Sequence, residues 1–155
     1  MKKGVQMIAT VILFLILAVA AVMAYVRLAP VDIAAFHTPP SAAAPGDEKT
    51  LNSFKAVRTM TAPPADVLRG VRTMAEDRPR TRLMAGDVAE GLMTFETRSA
   101  LMGYPDYTTV TVTEAQPPLL AIKGRSRYGK GDMGVNKARV EDWLSRLGPL
   151  VAPAS

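Results

Sequence analysis

The chain has 155 residues, a formal net charge of +5, one histidine and no cysteine. That length allows one compact domain with a segment to spare, and the missing cysteine excludes disulfides, thiolate metal sites and thiol nucleophiles together. The charge excludes a basic nucleic-acid face spread over the domain: residues 123–139 hold six basic residues and one acidic, whereas residues 31–122 hold nine basic against eleven acidic.

Residues 5–26 run from Val5 to Val26 without a charge. A helix of roughly 20 apolar residues is enough to span a bilayer core. Lys2 and Lys3 precede the run and Arg27 follows it. Positive residues on a short N-terminus favour keeping that end in the cytoplasm. The expectation is a single-pass anchor, residues 1–29, in a bacterial inner membrane, with the rest of the chain on the periplasmic or extracytoplasmic side. A cleaved signal peptide is the alternative, with Val22-Met-Ala24 as a place to cut, but the run exceeds a usual signal core of about 7–15 residues. No charge interrupts the span, so it reads as a tether rather than an ion pathway.

Residues 30–50 contain Pro30, Pro39, Pro40, Pro45 and Gly46 among alanines. This composition buries little and predicts an extended or poorly ordered linker that holds the domain off the membrane. His37 lies here, where a solvated bystander is expected rather than a catalytic base.

The globular part is expected over residues 51–149, with a short tail at 150–155. Phe54–Met60 reads as a strand. Thr61-Ala-Pro-Pro then opens a helix, since proline is tolerated in a first turn. Val67, Leu68, Val71, Met74 and Ala75 make its apolar stripe, and Asp77-Arg-Pro79 ends it. Thr81–Ala85 and Leu92–Ser99 flank a glycine-bearing turn and predict a hairpin. Tyr107–Thr113 alternates strictly and is rich in β-branched residues, a strong strand pattern. Gln116-Pro-Pro118 breaks the chain before a last strand at Leu119–Arg125. Val140, Trp143, Leu144 and Leu147 form the stripe of a C-terminal helix stopped by Gly148-Pro149. The order β-α-β-β-β-β-α predicts an α+β domain of two layers, an antiparallel sheet with two helices on one face.

The stretch Arg125–Arg139 packs three glycines and five basic residues into fifteen positions. Arg125 and Arg127 alternate at a strand end and should project to the same side of the sheet. Asp132 and Asn136 are both good caps for the helix that follows. Lys137 and Arg139 sit in its first turn, where the macrodipole favours acids. Two readings follow. In one, glycine-freed N–H groups and nearby arginines make an anion site. In the other, Arg125, Arg127, Asp132, Asn136, Lys137 and Arg139 are a structural clasp, with the arginines paired to Glu96, Asp106 or Glu141.

The pattern Arg-Ser-Arg-x-Gly-x-x-Asp-x-Gly-x-Asn-x-x-Arg, Arg125 to Arg139, resembles a bacterial and plastid family, domain of unknown function 1499. Ser99-Ala-Leu-Met-Gly-Tyr-Pro-Asp106 resembles an upstream segment of the same family. The resemblance covers roughly residues 51–147 and implies fold and context but no activity. The chain departs from the family pattern in two places. It lacks the Cys-Pro-x-Ser-x-Asn-Cys-like segment many members carry, and Arg125-Ser-Arg127 is a shorter, more basic form of the usual serine-rich run.

Catalytic chemistry finds little support. Ser99 and Ser126 have no histidine partner in the domain, and no carboxylate pair or metal-ligand cluster stands out. No cofactor is expected. The first reading is a non-catalytic binding or scaffold module of the cell envelope, with the membrane, an envelope protein or an anionic or lipid ligand as candidate partners and no nucleic acid. The second is a small-ligand or lipid-binding domain with a pocket between sheet and helices, lined by Met93, Phe95, Val110 and Ile122.

Overall fold

A computed structural model of the chain describes residues 2–153. The apolar N-terminal run forms one helix, α1 (Lys2–Leu28), long and apolar enough to cross a membrane. It stands clear of the domain until its last turn, where Val26 is buried.

The domain is an open six-stranded antiparallel sheet with two helices on one face. The elements are β1 (Gly46–Lys49), β2 (Ser53–Thr59), α2 (Pro64–Glu76), β3 (Thr81–Asp87), β4 (Leu92–Arg98), β5 (Pro105–Val112), β6 (Leu119–Ser126) and α3 (Val135–Leu147). The spatial order is β1-β2-β6-β5-β4-β3. The α+β, two-layer expectation therefore holds, with β1 added at the edge of the sheet. β3 also runs on to Asp87, past a register shift between Leu83 and Ala85.

Strand alternation assigns the two faces. Phe54, Ala56, Met93, Phe95, Val110, Leu120 and Ile122 face the helices. Val67, Leu68, Val71 and Ala75 of α2 and Val140, Trp143 and Leu147 of α3 close over them. Phe95 and Trp143 meet edge-on at 5.6 Å between ring centres, a favoured aromatic geometry. Arg78, just past α2, pairs with Asp142 of α3 and ties the two helices together.

The opposite face carries Val57, Thr94, Glu96, Arg98, Tyr107, Thr109, Leu119, Ala121 and Arg125, and residues 29–44 lie across it. Phe36 stacks on Tyr107 with ring centres 4.1 Å apart, and Thr109 donates its hydroxyl to the Phe36 carbonyl at 2.8 Å. His37 Nδ1 lies 2.9 Å from Thr94 Oγ1. Ala42 packs on Val57, Leu119 and Ala121, and Lys55 reaches Ser41 at 2.9 Å. This stretch is thus a strap rather than the free spacer its composition predicts, and His37 is half-buried rather than a solvated bystander. The difference has a physical cause: a face carrying Tyr107 and threonine hydroxyls offers stacking and hydrogen bonds that even a Pro/Ala-rich chain can take up.

Candidate functional site

The Arg125–Arg139 stretch falls at the joint between β6 and α3, as its spacing predicts, but its residues divide between the two faces of the sheet. On the helix side they build one closed network. The Asp132 carboxylate accepts from the backbone N–H of Gly134 at 2.9 Å and of Asn136 at 3.0 Å. It satisfies helix-start donors as a side-chain cap does, although Gly134, not Asp132, occupies the position just before α3. Gly134 is there for its backbone: φ is +84°, a left-handed value that side chains disfavour. Burial pushes the Asp132 carboxyl up, but these backbone donors outweigh it and hold the group below the usual carboxylate range.

Asn136 is fully buried. Its Nδ2 donates to Ser126 Oγ at 3.1 Å, and its Oδ1 accepts from Arg139 at 2.8 Å. Ser126 in turn donates to Asp106 Oδ1 at 2.7 Å, and Arg139 donates to Asp106 Oδ2 at 2.9 Å. The loop Asp106–Ser126–Asn136–Arg139 therefore closes on itself and joins β5, β6 and α3. The apparent conflict of Arg139 with the helix dipole is resolved by this pairing. Lys137 lies 3.6 Å from Glu141 and 5.9 Å from the centre of the Phe54 ring.

Arg125 and Arg127 project to the other face, on the same side as each other. They take main-chain carbonyls of the strap instead of the carboxylates considered for them. Arg125 Nη2 donates to Ala35 O at 3.0 Å, and its guanidinium lies 4.7 Å over the Phe36 ring. Burial lowers its pKa. Arg127 donates to Ala29 O at 3.2 Å and also to Pro30 O.

Gly124 lies outside the sequence motif. It precedes the motif by one residue, and a Cβ there would stand 2.9 Å from Asn136 Oδ1, so the amide fits because the strand carries no side chain at that point. A glycine inside a strand, here between Lys123 and Arg125 near the end of β6, is the signal that points to it. Glu96, one of three carboxylates the motif arginines could pair with on sequence grounds, has a different role. It is 1 % exposed and holds Arg98 through both carboxylate oxygens at 2.9 Å, with Arg82 at 2.9 Å and the Tyr107 hydroxyl at 3.3 Å. Burial pushes its carboxyl up, and the two guanidinium groups bring it below the ordinary value. Burial, and then the Glu96 charge, raise the Tyr107 hydroxyl.

The pocket expected between sheet and helices is filled. Met93, Phe95, Val110 and Ile122 are each 0 % exposed and belong to the packed core.

Sheet topology and the capped β6–α3 joint define a class: a two-layer α+β domain carried behind an apolar helix. Residues 32–147 match the family described as "Protein of unknown function (DUF1499)", and the chain belongs to that family. No curated protein matches it. Among solved structures, protein MLL2253 from Mesorhizobium loti is similar at 11 % identity and a TM-score of 0.49, covering 63 % of this chain and 95 % of that one. Protein CV1439 from Chromobacterium violaceum is similar at 17 % identity and a TM-score of 0.38, covering 66 % of this chain and 99 % of that one.

Proposed function

We propose that this is a single-pass membrane protein whose domain is a non-catalytic binding or scaffold module of the bacterial cell envelope, seated on the extracytoplasmic surface of the inner membrane. The observation that carries the reading is how α1 meets the domain. Arg27 in its last turn donates to Leu101 O at 3.0 Å, and Arg98 reaches the carbonyls of Gly103 at 3.1 Å and Val26 at 3.5 Å. No residue in the apolar window of the helix is buried, as a lipid-facing span requires. The strap continues from that junction, so residues 30–50 fix the domain beside the anchor instead of spacing it away.

Within this reading the motif residues have structural tasks. Asp132, Asn136 and Arg139, with Asp106 and Ser126, form the clasp that sets α3 on the sheet. Arg125 and Arg127 fasten the strap, and Lys137 belongs to the exposed face of α3.

The chain lacks cysteine, so one introduced thiol reports topology without background. Ser145→Cys lies on the exposed side of α3. In spheroplasts it should react with a membrane-impermeant maleimide, and the full chain should stay in the membrane after alkaline carbonate extraction. Labelling that needs detergent would overturn the orientation. Release by carbonate would overturn the anchor.

A further inference from the structure

The register of the sheet sets Arg82 of β3 opposite Glu96 of β4, and β4 ends two residues later at Arg98. Arg82, Arg98 and the Tyr107 hydroxyl saturate the buried Glu96 carboxylate. One carboxylate therefore answers two guanidinium groups. Two further arginines border the same depression. Arg80 donates through Nε to Arg98 O at 3.2 Å, and Arg27 donates to Leu101 O at 3.0 Å. Among the described residues neither has a carboxylate within ion-pair distance. The depression holds about 570 Å³ and is lined by all four arginines with Ser99, Ala100 and Gly103. Arg27, Arg80, Arg82 and Arg98 are scattered along the chain, and the fold gathers them into a concentration of positive charge separate from Arg125–Arg139.

Its position identifies what it meets. On the reading that α1 crosses the bilayer, on which this inference rests, Arg27 ends the apolar run and lies at headgroup depth. The depression it borders is then level with the lipid phosphates. Leu101, on the loop at its rim, is 78 % exposed and is placed to enter the acyl boundary. The geometry points to a binding site for the headgroup of an anionic phospholipid from that bilayer, held by Arg27, Arg80 and Arg82, with Arg98 as the fixed wall. A phosphate diester accepts paired guanidinium donors. A zwitterionic headgroup adds an ammonium that this cluster repels. Basic residues just beyond a span attract anionic lipid by roughly a factor of five each.

The test uses the full chain in nanodiscs containing equal phosphatidylglycerol and phosphatidylcholine, read by native mass spectrometry of the lipids it retains. Wild type should retain phosphatidylglycerol preferentially. Arg80→Asn/Arg82→Gln should lose that preference, with short-chain phosphatidylglycerol binding about 30-fold weaker for two charges removed. Asparagine suits the left-handed backbone of Arg80, φ +60°, and glutamine at 82 can still donate to Glu96. Lys130→Gln/Lys137→Gln removes equal charge elsewhere and should leave the preference intact. Equal retention of both lipids, or an equal loss in the lysine variant, would overturn the site. Stabilisation by inorganic phosphate alone, at the concentration where the lipid acts, would overturn the lipid assignment in favour of a soluble anion. Release of wild type by carbonate defeats the anchor reading, whereas membrane retention without lipid preference defeats the site alone.

Discussion

Gly124 and Asn136 touch where β6 passes under α3, and a methyl group at 124 would stand 2.9 Å from the Asn136 amide oxygen and 3.1 Å from its Cβ. The strand is central, between β2 and β5, so it has little freedom to move away. Gly124→Ala should destabilise the domain by about 1–3 kcal/mol, the usual cost of overpacking. Asn136→Ala should cost about 2–4 kcal/mol, because Ser126 and Arg139 each lose a partner in a buried place. The two losses should not add. With the amide gone the 2.9 Å clash is relieved and the 3.1 Å approach to the Cβ of residue 136 remains, so the Gly124→Ala penalty should shrink without vanishing in the Asn136→Ala background. Chemical denaturation of the four proteins gives the cycle, and strict additivity would show that the two residues do not press on each other.

Phe36 and Tyr107 carry the second relationship, between strap and sheet. Their rings are 4.1 Å apart, and Arg125 lies over Phe36. Phe36→Ala removes one aromatic pair and one cation–π contact, together about 1–2 kcal/mol. The effect should be local. Amide hydrogen exchange should speed up over residues 30–44 while β4, β5 and β6 stay protected. Arg125→Ala should do the same, and a loss of protection through the core in either variant would show that the strap is part of the cooperative fold.

The parts legible in the sequence were those where one side of an element differs from the other. Tyr107–Thr113 alternates because β5 has a helix-covered face and a strap-covered face. Val67, Leu68, Val71 and Ala75 repeat at helical spacing because α2 buries one stripe. Asp132 and Asn136 announced a capped helix start, although the capping falls to Asp132 while Asn136 turns inward. β1 was illegible: Gly46-Asp-Glu-Lys49 is polar at each position and exposed throughout, an edge strand held by pairing on one side. The strap was hidden for a related reason, since Phe36 is its one large aromatic anchor among prolines and alanines. The hairpin that brings Arg80, Arg82 and Arg98 together was legible, but its register was not, and Arg27 joins them only through the long-range docking of the α1 end.

Met133 is fully exposed and held at φ +50°. A side chain in the left-handed region costs roughly 1–2 kcal/mol, and asparagine tolerates it better than methionine does. No burial compensates here. Met133→Asn should therefore raise stability by about 0.5–1 kcal/mol, seen as a higher denaturation midpoint with an unchanged slope. An unchanged or lower midpoint would mean that the methionine makes up its backbone cost through another contact.

Glu96 and Tyr107 give the stability curve both of its limbs. The Glu96 carboxyl is held below its ordinary value in the fold, and Asp132 likewise. For such groups the unfolded chain binds protons first as pH falls. Their contribution is full above the ordinary carboxylate values near 4 and is lost as pH drops through the folded values. Tyr107 is shifted the other way. Its contribution is full below the ordinary tyrosine value near 10 and is lost as pH rises through the folded value. Stability should thus be flat between about pH 6 and pH 9, with a fall on each side. Tyr107→Phe should soften the alkaline fall and leave the acid one. Glu96→Gln should lower stability at neutral pH by leaving Arg82 and Arg98 facing an uncharged amide, yet flatten the acid fall. Urea unfolding across the pH range measures each limb, and an acid fall as steep in Glu96→Gln as in wild type would assign it to Asp132 and the surface carboxylates instead.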